Sequence, residues 1–320
     1  MHSTSSFLPG LLGPASAGRQ RQLPPPLHHP QRVATLAWSP DNTHLALVDI
    51  RGQVCLYDCA SGQRERTLHQ FVAALPLCCW SPDGRALATA TRGPGLWVRE
   101  ASTGRVTLYY QGHRQQIRHL AWSPDGQLLA SADRSSVHLL APALTGAARV
   151  HATHALQREH SLRLAWSPNG THLALLTSVR WHLPFFSFSK RVQIWDVSRG
   201  QWLVMQTQDR GISDVVWSPD GRFIATVGQT TCIWSARTGQ LITRAQEPDS
   251  ESCWAYWRGD TLILLSRDGQ LRVLHALTAT TLAQDRVPGK HLSCAAWSPD
   301  GTTLAFTMTG SHTVSFWRLP

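Results

Sequence analysis

The chain has 320 residues, of which 42% are hydrophobic and 16% charged. This is enough apolar material for a large core, so the composition excludes a chain that is disordered throughout. The net charge of +10 indicates either an anionic partner or simply a composition rich in arginine. Fourteen tryptophans exceed the eight phenylalanines and four tyrosines, so one structural demand must place tryptophan repeatedly.

The cysteines and the N-terminus bear on the compartment. Seven cysteines are an odd number, and no two have the spacing of a redox or zinc motif. We therefore expect free thiols, a reducing compartment and a cytoplasmic protein. Residues 1–18 are expected to form a flexible leader, because prolines and glycines interrupt their apolar stretch. No apolar run approaches the 18 or so residues of a membrane helix.

A short motif recurs along the chain. Trp-Ser-Pro followed by Asp or Asn occurs six times, at Trp38, Trp80, Trp122, Trp166, Trp217 and Trp297. Trp257 lies midway in the interval between the last two and marks a degenerate seventh copy. The copies are separated by 42, 42, 44, 51, 40 and 40 residues. Such a period indicates a repeat protein made of seven similar units.

Each unit contains four short runs separated by turns. In the third unit, residues 117–122 alternate in polarity, Pro-Asp-Gly follows, and residues 128–132 form an apolar run. A third run ends near an aromatic residue, as at residues 192–196, and a Thr-Gly or related turn leads to a fourth. Period-two runs bounded by such turns are strands. The sequence predicts an all-β, seven-bladed β-propeller of four-stranded antiparallel blades.

These repeats resemble the WD-repeat family, in particular the Trp-Ser-Pro-Asp-Gly form common in bacterial members, over about residues 32–320. The Trp-Asp dipeptide that names the family is kept only at Trp195-Asp196. The family's Gly-His element is kept in the third unit. The resemblance implies a buried hydrogen-bond network there between His113 and Asp133, while most other blades must do without it.

Closure of the ring requires a strand from outside the last unit. The chain ends at that unit's third strand, within residues 312–320, which leaves an edge to be covered. The resemblance implies that the N-terminal segment supplies the missing outer strand. Arg19 to Leu23 is the predicted closing strand, and residues 4–12 are the alternative. Residues 19–320 then form a single propeller domain.

The fourth unit departs from the repeat by ten extra residues before its third strand. The insertion is rich in aromatic residues, and its candidate partner-binding residues are Arg180, Trp181, Phe185, Phe186 and Phe188. In propellers of the family, this connection opens on the face that generally binds partners. Trp, Phe and Arg are enriched in binding hot spots. The alternative is a longer hairpin whose aromatic side chains pack onto the blade.

Motifs for catalysis are missing from the sequence. It contains no phosphate-binding loop, no nucleophile elbow and no His-Glu-x-x-His. His151, His154 and His160 lie close together, but only Glu159 accompanies them as a further metal ligand. We therefore expect no catalytic residues, no cofactor and no metal.

The prediction for function is a non-enzymatic, monomeric scaffold or adaptor that presents the loop face of the propeller to other proteins. One alternative is a protein that binds nucleic acid or an anionic surface through basic residues on that face. Its candidates are Arg114, Arg118, Arg180 and Arg210, although no dense basic run supports it. A second alternative is an enzyme or a metal-dependent site in the central channel or at the histidine cluster.

Overall fold

The computed structural model of the protein describes residues 23–70, 77–90, 93–142, 146–156, 159–180, 188–206, 211–246, 252–289 and 291–319. Within these ranges the chain forms strands and no helix, and hence no helix able to cross a membrane. The strands assemble into seven four-stranded antiparallel blades arranged as a β-propeller. The predicted fold class is confirmed.

The strands follow the predicted order. A short first strand is β1 (Leu27–His28). Blade 1 consists of β2 (Val33–Trp38), β3 (His44–Asp49), β4 (Gln53–Asp58) and β5 (Arg64–Gln70). Blade 2 consists of β6 (Leu77–Trp80), β7 (Ala86–Ala90), β8 (Leu96–Glu100) and β9 (Val106–Tyr110). Blade 3 consists of β10 (His119–Trp122), β11 (Leu129–Ala132), β12 (Ser136–Pro142) and β13 (Gly146–Ala155).

The remaining blades repeat this arrangement. Blade 4 consists of β14 (Glu159–Trp166), β15 (His172–Arg180), β16 (Phe188–Asp196) and β17 (Gln201–Gln206). Blade 5 consists of β18 (Ile212–Trp217), β19 (Phe223–Gly228), β20 (Thr230–Ser235) and β21 (Leu241–Gln246). Blade 6 consists of β22 (Ser252–Arg258), β23 (Thr261–Ser266), β24 (Gln270–His275) and β25 (Thr281–Arg286). Blade 7 consists of β26 (Leu292–Trp297), β27 (Thr303–Met308) and β28 (Thr313–Arg318).

Three residues of the Ser-Pro-Asp-Gly turn stabilise its conformation, as the contacts in blade 3 illustrate. The Ser123 hydroxyl donates to Asp125 Oδ1 at 2.5 Å and accepts the Leu128 amide at 2.9 Å. Gly126 has a φ of 70°, which residues with a side chain rarely adopt. The same hydrogen bond from serine to the acidic or amide side chain forms at Ser39, Ser81, Ser167, Ser218 and Ser298. The turn therefore sets the register of the first two strands.

The repeated tryptophan links neighbouring blades. The indole Nε1 of Trp217 donates to the Ala165 carbonyl of blade 4 at 3.0 Å. Equivalent bonds run from Trp38, Trp80 and Trp166 to the preceding blade. Trp217 also shares a buried cluster with Ile194 of blade 4 and Ile224 of blade 5. The hydrophobic core thus consists of layers between blades, with one indole at each of these four boundaries.

Blade 7 is completed by the N-terminal part of the chain. Strand β1 pairs with β28, where Leu27 lies opposite Val314 and His28 opposite Thr313, and Leu27 is fully buried. The predicted closing strand was Arg19 to Leu23. Of these residues only Leu23 is described, and it lies outside any strand, while residues 4–12 and 19–22 lie outside the described ranges. The observed closing strand is therefore β1, and a contribution from residues 19–22 stays a prediction.

Blades 2 and 3 are also joined at their outer edges. The long strand β13 begins beside β9 and pairs with it in parallel, with Gly146 opposite Leu108 and Ala147 opposite Tyr109. It then turns to pair antiparallel with β12, with a register shift between Leu139 and Leu140. This parallel pairing was not predicted. It covers part of the edge that an outermost strand otherwise exposes.

Candidate functional site

The two faces of the ring are built from different connections. We call upper the face on which the connections between second and third strands open, such as residues 133–136 of blade 3. The lower face carries the Ser-Pro-Asp-Gly turns and the connections between third and fourth strands. Because the strands alternate in direction, every blade presents the same two sets of connections to the same two faces.

Blade 4 extends above the other blades on the upper face. In blade 5 the second strand ends at Gly228, opposite Ile212 of the first. In blade 4 the second strand continues for three further residues after Thr177, the equivalent position. Ser178 and Val179 pair with strands on both sides, and Arg180 pairs with Phe188 of β16. At about 3.3 Å per residue, the sheet rises by about 10 Å. We call residues 159–160, 178–180 and 188–190 the blade-4 extension.

The predicted partner-binding residues lie at the end of this extension. Arg180 and Phe188 face each other in the last described pair of β15 and β16. Trp181, Phe185 and Phe186 belong to residues 181–187, which lie outside the described ranges. The structure thus shows β15 and β16 paired as far as Arg180 and Phe188, on either side of these seven residues. Whether their aromatic side chains bind a partner or pack on the blade stays a prediction.

Basic side chains lie on the upper face of blade 3. Arg114 and Arg134 are exposed and Arg118 is half-buried. Burial, together with the positive charge of Arg134, lowers the pKa of Arg118. Of the other two predicted basic residues, Arg180 lies in the blade-4 extension and Arg210 lies outside the described ranges.

Three ionisable residues on neighbouring innermost strands lie near the axis of the ring. Arg163 of blade 4 and Asp214 of blade 5 form an ion pair, with 3.5 Å between Nε and Oδ1. The other Asp214 oxygen accepts the Ala255 amide of blade 6 at 3.1 Å. Burial, and then the charges of Arg163 and Arg118, lower the pKa of His119 to about 3. His119 is therefore neutral at physiological pH, and Arg163 and Asp214 bridge two blades.

These three residues share a position in the repeat that none of the motifs described above includes. His119, Arg163 and Asp214 each stand three positions before the repeated tryptophan. In blades 4 and 5 a register shift occurs immediately before this position, between Ser161 and Arg163 and between Ile212 and Asp214. The available indication of a site was an ionisable residue in a first strand whose residues otherwise alternate in polarity. That these three residues lie close together follows only from the way in which the blades pack against each other.

Blade 3 brings together His113 and Asp133, the two residues that the family resemblance implies. His113 Nδ1 lies 3.3 Å from Asp133 Oδ2, and His113 Nε2 lies 2.8 Å from Ser131 Oγ. The order Ser-His-Asp resembles a hydrolase triad. However, Ser131 and Asp133 are fully buried, so no substrate reaches the hydroxyl. The arrangement therefore serves the fold.

Two further aromatic side chains complete this network. The imidazole of His138 stacks on that of His113 with 3.9 Å between ring centroids, and Tyr110 Oη lies 2.6 Å from His138 Nδ1. Blade 1 has a related network that the sequence did not reveal. There His29 Nε2 lies 3.2 Å from Asp49 Oδ2, and His29 Nδ1 lies 2.8 Å from Tyr57 Oη.

The predicted histidine cluster does not converge among its described side chains. His151 is exposed. The His154 ring instead packs against Trp202, with 4.4 Å between ring centroids. The side chain of His160 is not described.

Burial lowers the reactivity of three cysteine side chains. All seven are free thiols, as expected. Burial raises the pKa of Cys59 and Cys78 to about 12 and that of Cys294 to about 11. A thiolate is the reactive form, so these three side chains are poor nucleophiles and poor metal ligands at neutral pH.

Comparison with known proteins agrees with the class that the geometry defines. The WD40 family, described as WD domain, G-beta repeat, matches residues 104–139 and 202–235. The first match runs through blade 3 from the end of the β8–β9 turn, and the second lies in blades 4 and 5. With the seven four-stranded blades, these matches fit a protein of the WD-repeat family.

Similar curated proteins come from a fungus, Cryptococcus neoformans var. neoformans serotype D. In its strains JEC21 / ATCC MYA-565 and B-3501A, a protein named as one of the subunits of eukaryotic translation initiation factor 3 is 28% identical to the chain over 120 residues. The matched part covers 33% of this chain and 16% of each relative. The similarity therefore concerns a minor part of those proteins.

Proposed function

We propose that the protein is a non-enzymatic scaffold that binds other proteins on its upper face, with the blade-4 extension as the main contact. The observation that carries this proposal is the extension itself. Strands β15 and β16 stay paired for about 10 Å above the level at which the other second strands end, and β14 accompanies them for part of this length. The sequence between the last paired residues, Arg180 and Phe188, contains Trp181, Phe185 and Phe186. Paired strands on either side of a binding segment restrict its two ends before a partner binds, which lowers the entropy lost on binding.

The rest of the ring suits a scaffold. Indole-to-carbonyl bonds, buried clusters and the Arg163–Asp214 ion pair fix neighbouring blades to each other. A rigid ring of this kind leaves the loops free to vary, and binding residues are commonly found on loops held by rigid elements. WD40 propellers commonly act as protein-interaction scaffolds, which supports the proposal.

The relatives support the same kind of role. They are named as part of translation initiation factor 3, and a protein named as a subunit acts within an assembly.

Six copies of the Trp-Ser-Pro motif further support our inference that the chain is of the bacterial Trp-Ser-Pro-Asp-Gly type. We also propose a reducing, cytoplasmic location and a monomeric ring. The free state of all seven cysteines supports the location.

The test compares two double variants in quantitative affinity capture followed by mass spectrometry. Trp181→Ala with Phe186→Ala removes two aromatic residues from the segment between Arg180 and Phe188. Leu241→Ala with Ile242→Ala is the matched control, because both side chains are 47% exposed on the outer strand of blade 5. We expect the first variant to lose its specific partners and to unfold at nearly the wild-type temperature, while the control keeps them. Retention of all partners by the first variant refutes the site, and a large fall in its melting temperature shows that these aromatic residues are core.

A second candidate function is binding of nucleic acid through the basic residues of the upper face. Among the described residues, no carboxylate lies within 4.0 Å of the guanidinium groups of Arg114 and Arg118. The net charge of +10 favours an anionic ligand of this kind. If this function holds, the affinity for single- or double-stranded oligonucleotides falls steeply between 50 and 200 mM salt. Affinity that is weak and insensitive to salt rules it out.

A further inference from the structure

Three potential metal ligands converge on the lower face of blade 1. His44 begins β3, Asp58 ends β4, and Glu65 lies in β5. The cross-strand register places His44 directly opposite Asp58. His44 Nε2 lies 3.2 Å from Glu65 Oε2, and one ligand atom from each of the three residues lies within 4.8 Å of the other two. Three adjacent strands thus bring one nitrogen and two oxygen donors together.

Neighbouring hydroxyl groups hold two of these ligands in place. Thr43 Oγ1 lies 2.6 Å from His44 Nδ1, so the ring presents Nε2 to the carboxylates. The amide and the hydroxyl of Ser61 both donate to Asp58 Oδ1 at 2.6 Å. This leaves Asp58 Oδ2 for coordination. Metal-binding histidines and carboxylates generally have such outer hydrogen bonds, which orient the ligand atoms.

The surroundings favour a cation. His44 and Glu65 line a cavity of about 200 Å³ that extends to blade 2, and the Asp41 carboxylate lines it as well. The one basic side chain of its lining is Arg66, whose guanidinium donates to the Ala101 carbonyl at 3.4 Å. Three carboxylates therefore surround His44 in a protein with a net charge of +10.

Blade 4 provides an internal comparison, because it repeats half of this arrangement. His172 lies opposite Asp196, with 3.9 Å between Nε2 and Oδ2, and Thr171 Oγ1 lies 2.7 Å from His172 Nδ1. No third carboxylate joins them among the described residues. Instead, Arg199 Nη1 lies 3.8 Å from Asp196 Oδ2. Blades 1 and 4 thus share the pair of histidine and aspartate, and Glu65 is what blade 1 adds.

We propose that His44, Asp58 and Glu65 form a site for a divalent transition-metal ion of the zinc class. An imidazole nitrogen combined with carboxylate oxygens suits zinc, whereas magnesium and calcium prefer oxygen ligands alone. Three protein ligands leave a further position towards the cavity. The site lies on the face opposite the blade-4 extension, so it is independent of the proposed partner site.

The test is zinc titration of the full chain after treatment with a chelator, followed by calorimetry and metal analysis. We expect one equivalent of zinc to bind. Glu65→Gln and His44→Gln each weaken binding at least tenfold, while His172→Gln, the matched change in blade 4, leaves it unchanged. The Glu65 side chain is 47% exposed, so its variant is expected to fold normally, which thermal unfolding without metal verifies.

The proposal is overturned if the wild-type protein binds no zinc at micromolar concentrations. It is also overturned if Glu65→Gln keeps wild-type affinity, because zinc then binds elsewhere. A third arm uses magnesium and calcium chloride under the same conditions. Binding of either ion as tightly as zinc contradicts a site that depends on a histidine.

Discussion

The stacked histidines of blade 3 make the stability of the propeller depend on pH. Burial, and then the charge of His138, lower the pKa of His113 from 6.5 to about 4, although Asp133 acts in the opposite direction. Burial also lowers the pKa of His138. Two positive charges cannot be accommodated in rings 3.9 Å apart within a buried network. On acidification the unfolded chain therefore takes up protons before the folded protein does.

The sign and size of the effect follow from this difference. A group with a lowered pKa in the folded state contributes stability that is fully present above pH 6.5 and is lost as the pH falls towards 4. At about 1.36 kcal/mol per pH unit, His113 accounts for a loss of about 3 kcal/mol between pH 7 and pH 4. The hydrogen bonds from Ser135, working against burial, lower the pKa of Asp133 to about 2, so its own contribution persists in this range.

Urea unfolding at pH 7 and pH 4 measures this loss. His113→Gln removes the titrating group while keeping an amide near Ser131, and His151→Gln is the matched control on an exposed position of the same blade. We expect the His113 variant to be less stable than the wild type at pH 7, but to lose about 3 kcal/mol less on going to pH 4. His119 titrates with the same sign and remains in all three proteins, so it cancels in the comparison. Equal losses in wild type and His113→Gln would show that the stack does not control acid stability.

Other contacts give predictions with internal controls. Trp217→Phe should lower the free energy of unfolding in urea by about 1 kcal/mol more than Trp122→Phe does. The first change removes a hydrogen bond between blades, whereas the buried Trp122 Nε1 has no hydrogen-bond partner among the described residues. Equal losses would contradict the role of the indole in linking blades. Ser123→Ala should cost about 1–3 kcal/mol, since it leaves the Leu128 amide without this acceptor, and a neutral result would contradict the account of the turn. Removing residues 1–30 takes away β1 and should lower stability by at least about 2 kcal/mol and expose the edge of β28. A loss of the same size on removing residues 1–22 would show that the segment before β1 also contributes to closure.

The fold was predictable because the signals for it are local. The Ser-Pro-Asp-Gly turn needs only neighbouring residues to form, as the contacts of Ser123 and Asp125 show. The turn directly follows a tryptophan in each copy, and the number of copies along the chain predicted the number of blades. The implied pairing of His113 with Asp133 was also correct, because both positions have fixed offsets from Trp122.

The contacts that the sequence did not reveal join residues far apart in the chain. Arg163 and Asp214 are separated by 51 positions, and their ion pair depends on two blades lying side by side. Closure by β1 was missed because two residues, Leu27 and His28, are too few to show a strand pattern. What selects them is burial of Leu27 against the last blade, which only the assembled ring provides.

Differences between copies of the repeat, rather than the repeat itself, indicate where this propeller acts. Blades 1 and 4 both place a histidine opposite an aspartate, at the ends of the second and third strands on the lower face. Glu65 changes the chemistry of one copy without changing its fold, since it lies on a partly exposed strand position. The blade-4 extension likewise adds three paired residues above an ordinary blade. Both departures leave the strand pairing of the repeat intact, and this is why we propose binding roles for them.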